Sequence, residues 1–398
     1  MSSASYINIH AIQSLPYSNV NRDDLGSPKT VYFGGVERTR VSSQSWKRVI
    51  RKQVEQQLVD EHLGEETVRT RRVAVGVAER LEQQGWSNED AQAAGEQVAL
   101  SAGGGISLKN DKNDQDEQVL TTNVLLFLPE SGIDELARIA ADHREAILNA
   151  KPRGKRATPK PVLPSDEIAT VLTRRSPSIN LFGRMLAELP GANVDGAVQV
   201  AHAFTTHGTR VEYDFFSAVD DVEEKLDIPG SGHINTGMFS AGTFYRYANI
   251  DVSGLLHNLD GDTALAATVT RSFLDAFIRT LPSGKQNATA AMTVPELVHI
   301  SVRDDRPVSL ASAFEEPLSQ NGGYIRTSLT ALASYAGSVD TLLGREHVLA
   351  SGYAGNQHWN GVEGDDLDEK LAALGARHDL FTTLVSETVD AAYAGERT

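Results

Sequence analysis

The chain has 398 residues, 40% of them hydrophobic, and a formal net charge of −16. This length and composition suit one large globular domain or two to three smaller ones, each with a buried core. The chain has no cysteine, which excludes disulfides, thiolate zinc sites and cysteine nucleophiles. No run approaches the ~20 apolar residues that span a bilayer, so no membrane partner is expected.

The first predicted elements are a strand and a helix joined by loops. The start MSSASYINIH lacks the charged-then-apolar order of a signal peptide, so a cytoplasmic location is expected. Apolar and polar residues alternate within SYINIHAIQS, as in a strand. NRDDLGSPK has turn composition, and VYFGG is a short apolar run ended by two glycines. The next segment, SSQSWKRVIRKQVEQQLVDEHL, has apolar residues at helical spacing, with Ser42 or Ser43 as its N-cap.

Residues 60–180 are predicted to form a lobe inserted into the first domain. From about residue 65 to 119 the pattern is mostly helical and polar, with SAGGGIS and KNDKNDQDEQ as loops. VLTTNVLLFLP is typical of a strand and GIDELARIAADHREAILNA of a helix. KPRGKRATPK has five cations and two prolines, which exclude a regular element. A solvated linker and a loop that contacts nucleic acid are equally compatible with it.

The second half is predicted to alternate strands and helices around a projecting arm. Two segments have the composition of buried strands, VDGAVQVAHAFTTHG and GTFYRYANIDVSGL. The projecting arm is predicted between them at SAVDDVEEKLDIPGSGHINTG, because that segment is too long for a simple connection. Helix, strand, helix and strand follow in TALAATVTRSFLDAFIRTL, ELVHISVR, YIRTSLTALASYA and REHVLASGY, and an amphipathic helix is predicted over 367–392. This order indicates an α+β fold, one sheet with helices packed on it, interrupted by two insertions.

No catalytic or cofactor motif is complete. The phosphate-binding motif G-x-x-x-x-G-K-[ST] is not completed around Gly284-Lys285, a Gly-Lys pair of the chain. The segment GSGHINTG lacks the glycine spacing of a dinucleotide-binding fingerprint. The segment MFSAGT lacks the first glycine of the serine-nucleophile motif G-x-S-x-G. The eleven histidines form no H-E-x-x-H. His10, His202 and His207 have the chemistry of acid/base groups, but structural roles are favoured for all three. We therefore predict no enzyme, no cofactor and no metal site.

Positive charge is concentrated at the N-terminal end of this acidic chain. The first 52 residues include eight basic and three acidic ones, whereas the segment from Tyr353 onward has three basic and nine acidic ones. Lys47, Arg48, Arg51 and Lys52 lie in the first turns of the predicted helix, where cations typically cost ~0.3–1 kcal/mol each because the helix N-terminus is itself positive. A bound polyanion would offset this cost, and the acidic remainder would repel nonspecific nucleic acid.

The start of this helix has groups that suit phosphate oxygens. Ser42, Ser43 and Gln44 add side-chain donors to the free backbone N–H groups expected at a helix N-terminus. Lys47 and Arg51 are four residues apart and are predicted to share the solvent face. The helix start is therefore predicted to bind an anion.

Further cations precede the helix in glycine-containing loops, where the backbone can approach a ligand closely. They are Arg22, Lys29, Arg38 and Arg40. The alternative is a solvated helix face paired with Glu55, Asp60 and Glu61, but these acids lie mostly more than one turn away. Cations spread over so long a segment favour a polymer, bound through its backbone with little sequence preference.

Five segments occur in a fixed order: NRDDLGSPKTVYFGGVERTRVSSQSWKRVIR, NLFGRM, VDGAVQVAHAFTTH, DFFSAVDD and FSAGTFYRYANI. Together they closely resemble the CasC family, the backbone subunit of type I-E Cascade in CRISPR immunity, from residue 5 to about 340. The resemblance implies an RRM-like (ferredoxin-like) palm, a helical fingers insertion and a projecting thumb hairpin. The implied boundaries are palm 1–59, fingers 60–180, palm 181–207, thumb 208–241, and palm with a C-terminal helix 242–398.

The resemblance also implies a function in antiviral defence. Copies of the subunit would stack along one CRISPR RNA, kink it periodically and leave bases free to pair with target DNA. The implied partners are CRISPR RNA, target DNA, further copies of the chain, and the large, small, guide-end-capping and crRNA-processing subunits of Cascade. An alternative within the same superfamily is an endoribonuclease that cuts paired RNA through Asp23 and Asp24 in the basic loop.

Site residues follow partly from the resemblance and partly from the charge pattern. The positions that match phosphate-holding palm residues are Arg22, Lys29, Ser42, Gln44, Lys47 and Arg48, and the basic run itself adds Arg40, Ser43 and Arg51. Met185 matches the apolar residue at the kink, although the sequence alone favours a core methionine, and Thr206 with His207 falls where the thumb begins. A possible DNA-binding set matches no family motif: Lys151, Arg153, Lys155 and Arg156.

Overall fold

The chain folds into two units, which are described separately. The first comprises Met1–Gln53, Val198–Leu256 and Asp262–Thr398, and the second comprises Val54–Ala197 and His257–Gly261. The computed structural model describes residues 4–112, 118–150, 160–218, 233–319, 323–356, 358 and 367–394. Helices and strands occur in both units, which confirms the predicted α+β class.

Strands and helices follow one another along the whole chain. The strands are β1 (Tyr6–Ser18), β2 (Thr30–Phe33), β3 (Val36–Val41), β4 (Thr67–Thr70), β5 (Leu108–Lys112), β6 (Gln118–Thr122), β7 (Leu126–Pro129), β8 (Val198–Val200), β9 (Ala203–Thr205), β10 (Glu212–Ala218), β11 (His233–Asp251), β12 (Leu297–Arg303), β13 (Val348–Gly355) and β14 (Ala376–His378). The helices are α1 (Ser43–Asp60), α2 (Val73–Gln83), α3 (Asn88–Ser101), α4 (Ser131–Asp142), α5 (Arg144–Asn149), α6 (Ser165–Thr173), α7 (Pro177–Phe182), α8 (Val252–Asn258), α9 (Thr263–Arg279), α10 (Gln286–Thr289), α11 (Ile325–Leu343), α12 (Leu367–Leu371) and α13 (Phe381–Tyr393). The predicted first strand and the helix after it correspond to β1 and α1.

The sheet of the first unit has β1 near its centre. Its strand order is β14-β13-β12-β1-β11-β9-β3-β2, and β8 and β10 also pair with β11. Strand pairs are antiparallel except β13 with β14. Every residue of β12 is buried, as is β1 from Ile7 to Gln13, because helices cover the sheet: α13 packs on β12 and β13, and α11 packs on β1. Burial on both faces makes these central strands mainly apolar.

A row of four aromatic rings crosses this sheet. Tyr247, His10, His299 and Tyr353 are direct neighbours on β11, β1, β12 and β13. The centroid of the His10 ring lies 5.0 Å from that of Tyr247 and 5.5 Å from that of His299. Burial lowers the pKa of both imidazoles, to about 4 for His299, so both are neutral in the folded protein near neutral pH. His10 is therefore a packing residue, as the sequence favoured.

Strand β11 belongs to both the sheet and the predicted arm. Its residues from Asp251 back to Ser240 pair with β1, and those from Phe239 to His233 pair with β10 in a hairpin. Residues 219–232, the middle of the predicted arm, lie outside the described residues. The hairpin thus extends from the sheet on a strand that is also part of its interior.

The second unit packs helices α2, α3, α4 and α6 around an apolar core, in which Leu81, Val98 and Ile168 are buried. Two small antiparallel pairs, β4 with β7 and β5 with β6, accompany them. Helices α2 and α3 approach closely at Gly95, where a Cβ would come within 2.1 Å of the Ala74 carbonyl oxygen. Only glycine permits this approach, because every other residue would carry that Cβ.

The second unit extends to Ala197 and includes the segment 181–197. The palm, fingers and thumb bounds implied by the resemblance stay a prediction. The buried Arg184 holds this segment in place, because its guanidinium donates to the backbone carbonyl oxygens of Phe127, Thr173 and Arg174 at 2.8–3.2 Å. This buried cation thus anchors the segment to β7 and to the end of α6.

Two further elements differ from the sequence prediction. Part of the predicted loop KNDKNDQDEQ is a strand, because β5 pairs with β6. The single helix predicted over 367–392 is two helices, α12 and α13, with β14 between them. The chain turns at Gly375, which has φ of 92° and lies against the Ser351 backbone, where a Cβ would come within 2.3 Å of the carbonyl oxygen.

Candidate functional site

The loop between β1 and β2 is ordered by its own acidic residue. Asp23 Oδ1 accepts hydrogen bonds from the backbone N–H groups of Leu25 and Ser27, both at 2.9 Å. Such a turn is a local structural use of an aspartate. The neighbouring side chains of Arg22 and Asp24 are exposed. The loop therefore presents Arg22 to solvent on a backbone that Asp23 holds.

The same loop is tied to two other parts of the first unit. Asn19 Nδ2 donates to the carbonyl oxygen of Gly26 at 2.9 Å and to that of Met238, on β11, at 2.7 Å. Asn21 Oδ1 accepts from the backbone N–H of Ser42 at 2.8 Å, and the Lys29 N–H donates to the Asn21 carbonyl oxygen at 3.0 Å. The basic loop, the root of the arm and the start of α1 are thus connected through two asparagines.

The hairpin of β2 and β3 is fastened by a buried arginine. Arg38 donates to the backbone carbonyl oxygens of Phe33, Thr205 and Glu315, each at 3.0 Å. It is inaccessible to a ligand, and its role is to hold the hairpin. The turn itself needs glycine at Gly34, where φ is 62° and a Cβ would come within 1.7 Å of the Glu315 carbonyl oxygen.

The start of α1 is held by a histidine from the segment between β8 and β9. His202 Nδ1 accepts from the backbone N–H of Ser43 at 3.3 Å and lies 3.3 Å from Arg40 Nη1. Ser42 occupies the cap position, because its carbonyl oxygen accepts from the N–H groups of Ser45 and Trp46. The expectation of free backbone N–H groups is therefore wrong for Ser42 and Ser43, whose N–H groups are bonded to Asn21 and His202.

Two cations lie close enough to His202 to affect its protonation. Partial desolvation of this imidazole lowers its pKa, and the positive charges of Arg40 and Lys29 lower it further. Lys29, Arg40 and Ser43 are half-buried and His202 is exposed, so a ligand can reach the cluster. The sequence alone does not identify His202 as a member, since only the tertiary fold brings it to α1. An anion bound here would raise its pKa.

Helix α1 exposes some of the predicted residues and buries others. Gln44 and Arg48 are exposed and Lys47 is half-buried. Arg51 is only 5% exposed, so the expectation that it shares the solvent face with Lys47 is wrong. Arg51 precedes Val54 by three residues, which places it on the inward side of the helix.

An apolar groove lies beside Arg40 and His202. It has a volume of about 500 Å³. Its other lining residues are Val31, Tyr32, Phe33, Phe204 and Ala311. The Tyr32 ring is 74% exposed, and its hydroxyl donates to the Gly35 carbonyl oxygen at 2.7 Å, which fixes its position. An apolar wall next to cations suits a ligand that is both flat and anionic.

Met185 of the second unit is exposed rather than part of the core. Its side chain is 86% exposed, whereas Leu186 beside it is buried. The preceding residue, Arg184, is anchored in the unit, and its burial lowers its pKa to about 10. Gly183 has φ of 78° and packs against Gly196. A rigid turn thus projects a large apolar side chain into solvent, and the sequence-only preference for a core methionine is wrong.

Thr206 and His207 lie in the interior of the first unit. Thr206 is fully buried and its backbone N–H donates to the Thr243 carbonyl oxygen at 2.8 Å. The His207 ring stacks on Tyr324 with 3.7 Å between centroids, and its Nε2 accepts from the Thr243 N–H at 3.2 Å. Burial lowers the pKa of His207. Both residues fix the root of the arm, and their burial argues against direct contact with a ligand.

Strand β10 of the arm exposes aromatic side chains. Tyr213 and Phe215 are 71% and 70% exposed, and Phe216 is 42% exposed. The alternation in EYDFF is a sequence signal for exposed aromatics on a hairpin, although it borders a segment of loop composition that obscures it. An exposed group of large apolar residues marks a contact surface.

The possible DNA-binding residues Lys151, Arg153, Lys155 and Arg156 lie outside the described residues. Within the described ranges, no group of three histidine, aspartate or glutamate side chains is arranged to hold a metal ion. In those same ranges, none of the helices combines the length and apolarity needed to cross a bilayer.

Comparisons with known proteins match almost the whole chain. A family described as "CT1975-like protein" matches residues 7–377. A solved chain of a "CRISPR RNA-guided surveillance complex, pre-nicking" is 50% identical with a TM-score of 0.85, and the match covers 98% of this chain and 100% of that one. A chain of a "CRISPR RNA-guided surveillance complex" is 43% identical with a TM-score of 0.77, covering 97% and 100%. No curated protein sequence matches. The full-length structural matches confirm the relationship to CRISPR proteins expected from the sequence.

Proposed function

This chain belongs to the CT1975-like protein family, and we propose that it is the CRISPR RNA-binding backbone subunit of a type I-E Cascade surveillance complex. The proposal rests above all on the ordered cationic surface of the first unit, where Arg22, Lys29, Arg40 and Arg48 are exposed or half-buried. Cations carried on a loop, a strand and a helix start suit the repeating charges of an RNA backbone better than a single phosphate.

Backbone contacts of this kind leave the bases unread. We infer that copies of the chain, each with an RRM-like palm, stack along one guide RNA together with the other Cascade subunits in the cytoplasm. The exposed Met185 and the thumb aromatics Tyr213 and Phe215 would lie against unstacked bases at periodic kinks. Bases between the kinks would pair with target DNA, so that Watson–Crick pairing supplies the specificity of this antiviral defence.

The proposed subunit is a scaffold rather than a nuclease. The alternative, an endoribonuclease acting through Asp23 and Asp24, is favoured by the position of these acids beside Arg22. Asp23, however, already accepts two backbone hydrogen bonds, which supports a structural role. Incubation of the assembled complex with complementary RNA and Mg²⁺ separates the two proposals. Regularly spaced cuts that disappear in Asp23→Ala or Asp24→Ala would establish the nuclease.

The scaffold proposal is tested by removing exposed cations from the palm. Arg22→Gln with Arg48→Gln should weaken binding of guide RNA about tenfold, and by a similar factor for unrelated guide sequences. The slope of log affinity against log salt should become shallower by about 0.7 for each single-strand phosphate that the variant no longer neutralises. The matched control is Arg271→Gln with Arg345→Gln, two exposed arginines of the same unit on α9 and after α11.

The outcome distinguishes backbone binding from base recognition. Equal loss for all guides, with the control unchanged, supports the proposal. Loss that depends on guide sequence, or an equal loss in the control variant, would contradict it. RNA that copurifies with the unmodified chain should also raise the 260/280 nm absorbance ratio, and its size and sequence identify the guide.

A further inference from the structure

The sulfur chemistry of this chain is confined to its methionines. The sequence has four methionines and no cysteine. Met1 lies outside the described residues, and the other three are Met185, Met238 and Met292. A peroxide that reaches the chain therefore meets no thiol, and the methionine thioethers are the sulfur groups that it can oxidise.

The three described methionines differ in their access to solvent. Met185 is 86% exposed and Met292 is 67% exposed, whereas Met238 on β11 is half-buried. The sulfur of Met292 also accepts a hydrogen bond from Gln286 Nε2 at 3.6 Å, which engages one of its lone pairs. Oxidation follows exposure, because the oxidant has to reach the sulfur. Met185 is therefore expected to react first.

The backbone on both sides of Met185 is held by hydrogen bonds. The Arg184 N–H donates to the Val194 carbonyl oxygen at 2.9 Å, and the Val194 N–H donates to the Arg184 carbonyl oxygen at 2.8 Å. On the other side, the N–H of the buried Leu186 donates to Asn193 Oδ1 at 2.7 Å. The Met185 side chain could turn inward only if these bonds broke, so its sulfur stays accessible in the folded chain.

We propose that Met185 is a site of reversible oxidation, at which a peroxide converts the thioether to a sulfoxide and thereby weakens the binding of guide RNA. A lone pair of the sulfur attacks one oxygen of the peroxide, so that an S–O bond forms as the O–O bond breaks. The proton of the transferred oxygen moves to the second oxygen, which leaves as water. The sulfur loses two electrons and the peroxide gains them. Methionine sulfoxide reductases reverse the reaction.

Oxidation would change the surface that this turn presents without altering the core. The sulfoxide is polar where the thioether is apolar. A thioether makes a favourable contact with an aromatic ring, and the base proposed to lie against Met185 has such a ring. The polar oxygen would weaken that contact. This consequence for RNA rests on the function proposed above, whereas the preferred oxidation of Met185 rests on its exposure and its fixed backbone.

The first measurement follows the oxidation itself and needs no RNA. The full-length chain is treated with hydrogen peroxide, and peptide mass spectrometry of one digest measures the oxygen added at each methionine over time. Met185 should be oxidised several-fold faster than Met238 and also ahead of Met292. Oxidation of Met185 at the same rate as these two residues, or more slowly, would overturn the proposal.

The second measurement is the affinity for labelled guide RNA. The oxidised chain should bind about fivefold more weakly, which corresponds to the loss of one sulfur–aromatic contact, and methionine sulfoxide reductases should restore its affinity. Met185→Leu keeps an apolar side chain of similar volume without the sulfur, so peroxide should leave its affinity unchanged. The matched control, Met292→Leu, should lose affinity as the unmodified chain does. An equal loss in Met185→Leu contradicts the assignment to this residue.

The two measurements separate this proposal from the proposed function. If Met185 is oxidised first but the affinity for RNA is unchanged, the regulatory role falls and the palm surface, tested by Arg22→Gln with Arg48→Gln, is unaffected. If the untreated chain fails to bind guide RNA at all, the proposed function fails, and mass spectrometry still decides whether Met185 is the preferred site. Urea unfolding of the oxidised chain should match that of the untreated chain, since Met185 lies outside the core.

Discussion

Stability should fall steeply in mild acid because two neutral imidazoles are buried side by side in the sheet of the first unit. Burial holds the pKa of His299 at about 4, against 6.5 for an unburied histidine, and it also lowers the pKa of His10. The unfolded chain therefore takes up a proton from about pH 6.5 downward, while the folded chain does not. The contribution of the neutral imidazole to the free energy of unfolding is fully present above the unfolded-state pKa of 6.5. It is lost as the pH falls from there toward the folded-state pKa of about 4.

The size of the effect follows from the separation of the two pKa values. One pKa unit corresponds to about 1.36 kcal/mol, so His299 alone should reduce the free energy of unfolding by about 2 kcal/mol between about pH 7.5 and about pH 5. The tyrosines near the pair are Tyr245, Tyr247 and Tyr353, and Tyr245 shares a 2.9 Å hydrogen bond with His10. The pKa of each is raised, mainly by burial, so none of them ionises in this range. The two histidines therefore dominate the local pH dependence.

Urea unfolding at the two pH values measures the prediction. His299→Gln keeps a donor that can replace the hydrogen bond between Nδ1 and the Gly352 carbonyl oxygen but has no titrating group. Its free energy of unfolding should depend on pH less than that of the unmodified chain by about 2 kcal/mol over this interval. The control is His257→Gln on the exposed end of α8. An unchanged pH dependence in His299→Gln, or the same flattening in the control, would refute the reasoning.

Two further predictions concern the hairpin of β2 and β3. Arg38→Met should lower the free energy of unfolding by about 3 kcal/mol or more, because three backbone carbonyl oxygens lose their donor. The comparison variant is Arg40→Met, at a half-buried position of the same strand, and it should lower the free energy of unfolding by about 1 kcal/mol. Urea titration at neutral pH compares them, and equal losses would contradict the assignment of Arg38 as the fastening residue. Tyr32→Leu should leave stability nearly unchanged but weaken guide RNA binding about fivefold if a base stacks on the exposed ring, since such stacking contributes ~1–3 kcal/mol. Unchanged RNA affinity in Tyr32→Leu would exclude the groove as a stacking surface.

Local patterns predict much of the fold. Alternation identifies β1, and helical spacing with a serine cap identifies α1. The polar residues of the alternating pattern, Asn8, His10 and Gln13, are nevertheless buried, because β1 is covered on both faces. The break at Gly375 is not predictable in this way, since the flanking segments share a helical period and only the close approach to Ser351 requires the turn. Tertiary contact, not local preference, decides the structure there.

The candidate site is predictable in its charge but not in its geometry. The sequence places Arg51 on the solvent face of α1 because it follows Lys47 by four residues. Arg51 also precedes the buried residues Val54 by three positions and Leu58 by seven. This alignment with the buried side of the helix determines its position. His202 and Met185 depend on parts of the fold distant in sequence. His202 reaches α1 from the segment between β8 and β9. Met185 is exposed because Arg184 beside it is anchored to the distant carbonyl oxygen of Phe127.

The length of β11 has a mechanical consequence for the arm. At ~3.3 Å per residue, its 19 residues extend roughly 60 Å without interruption. Where pairing with β1 ends, near Ser240, pairing with β10 takes over, so the strand has an antiparallel partner on either side of that point. A pull along the arm is therefore shared by a ladder of backbone hydrogen bonds that continues into the sheet. We therefore expect force applied to the paired part of β10 and β11 to be carried into the sheet of the first unit.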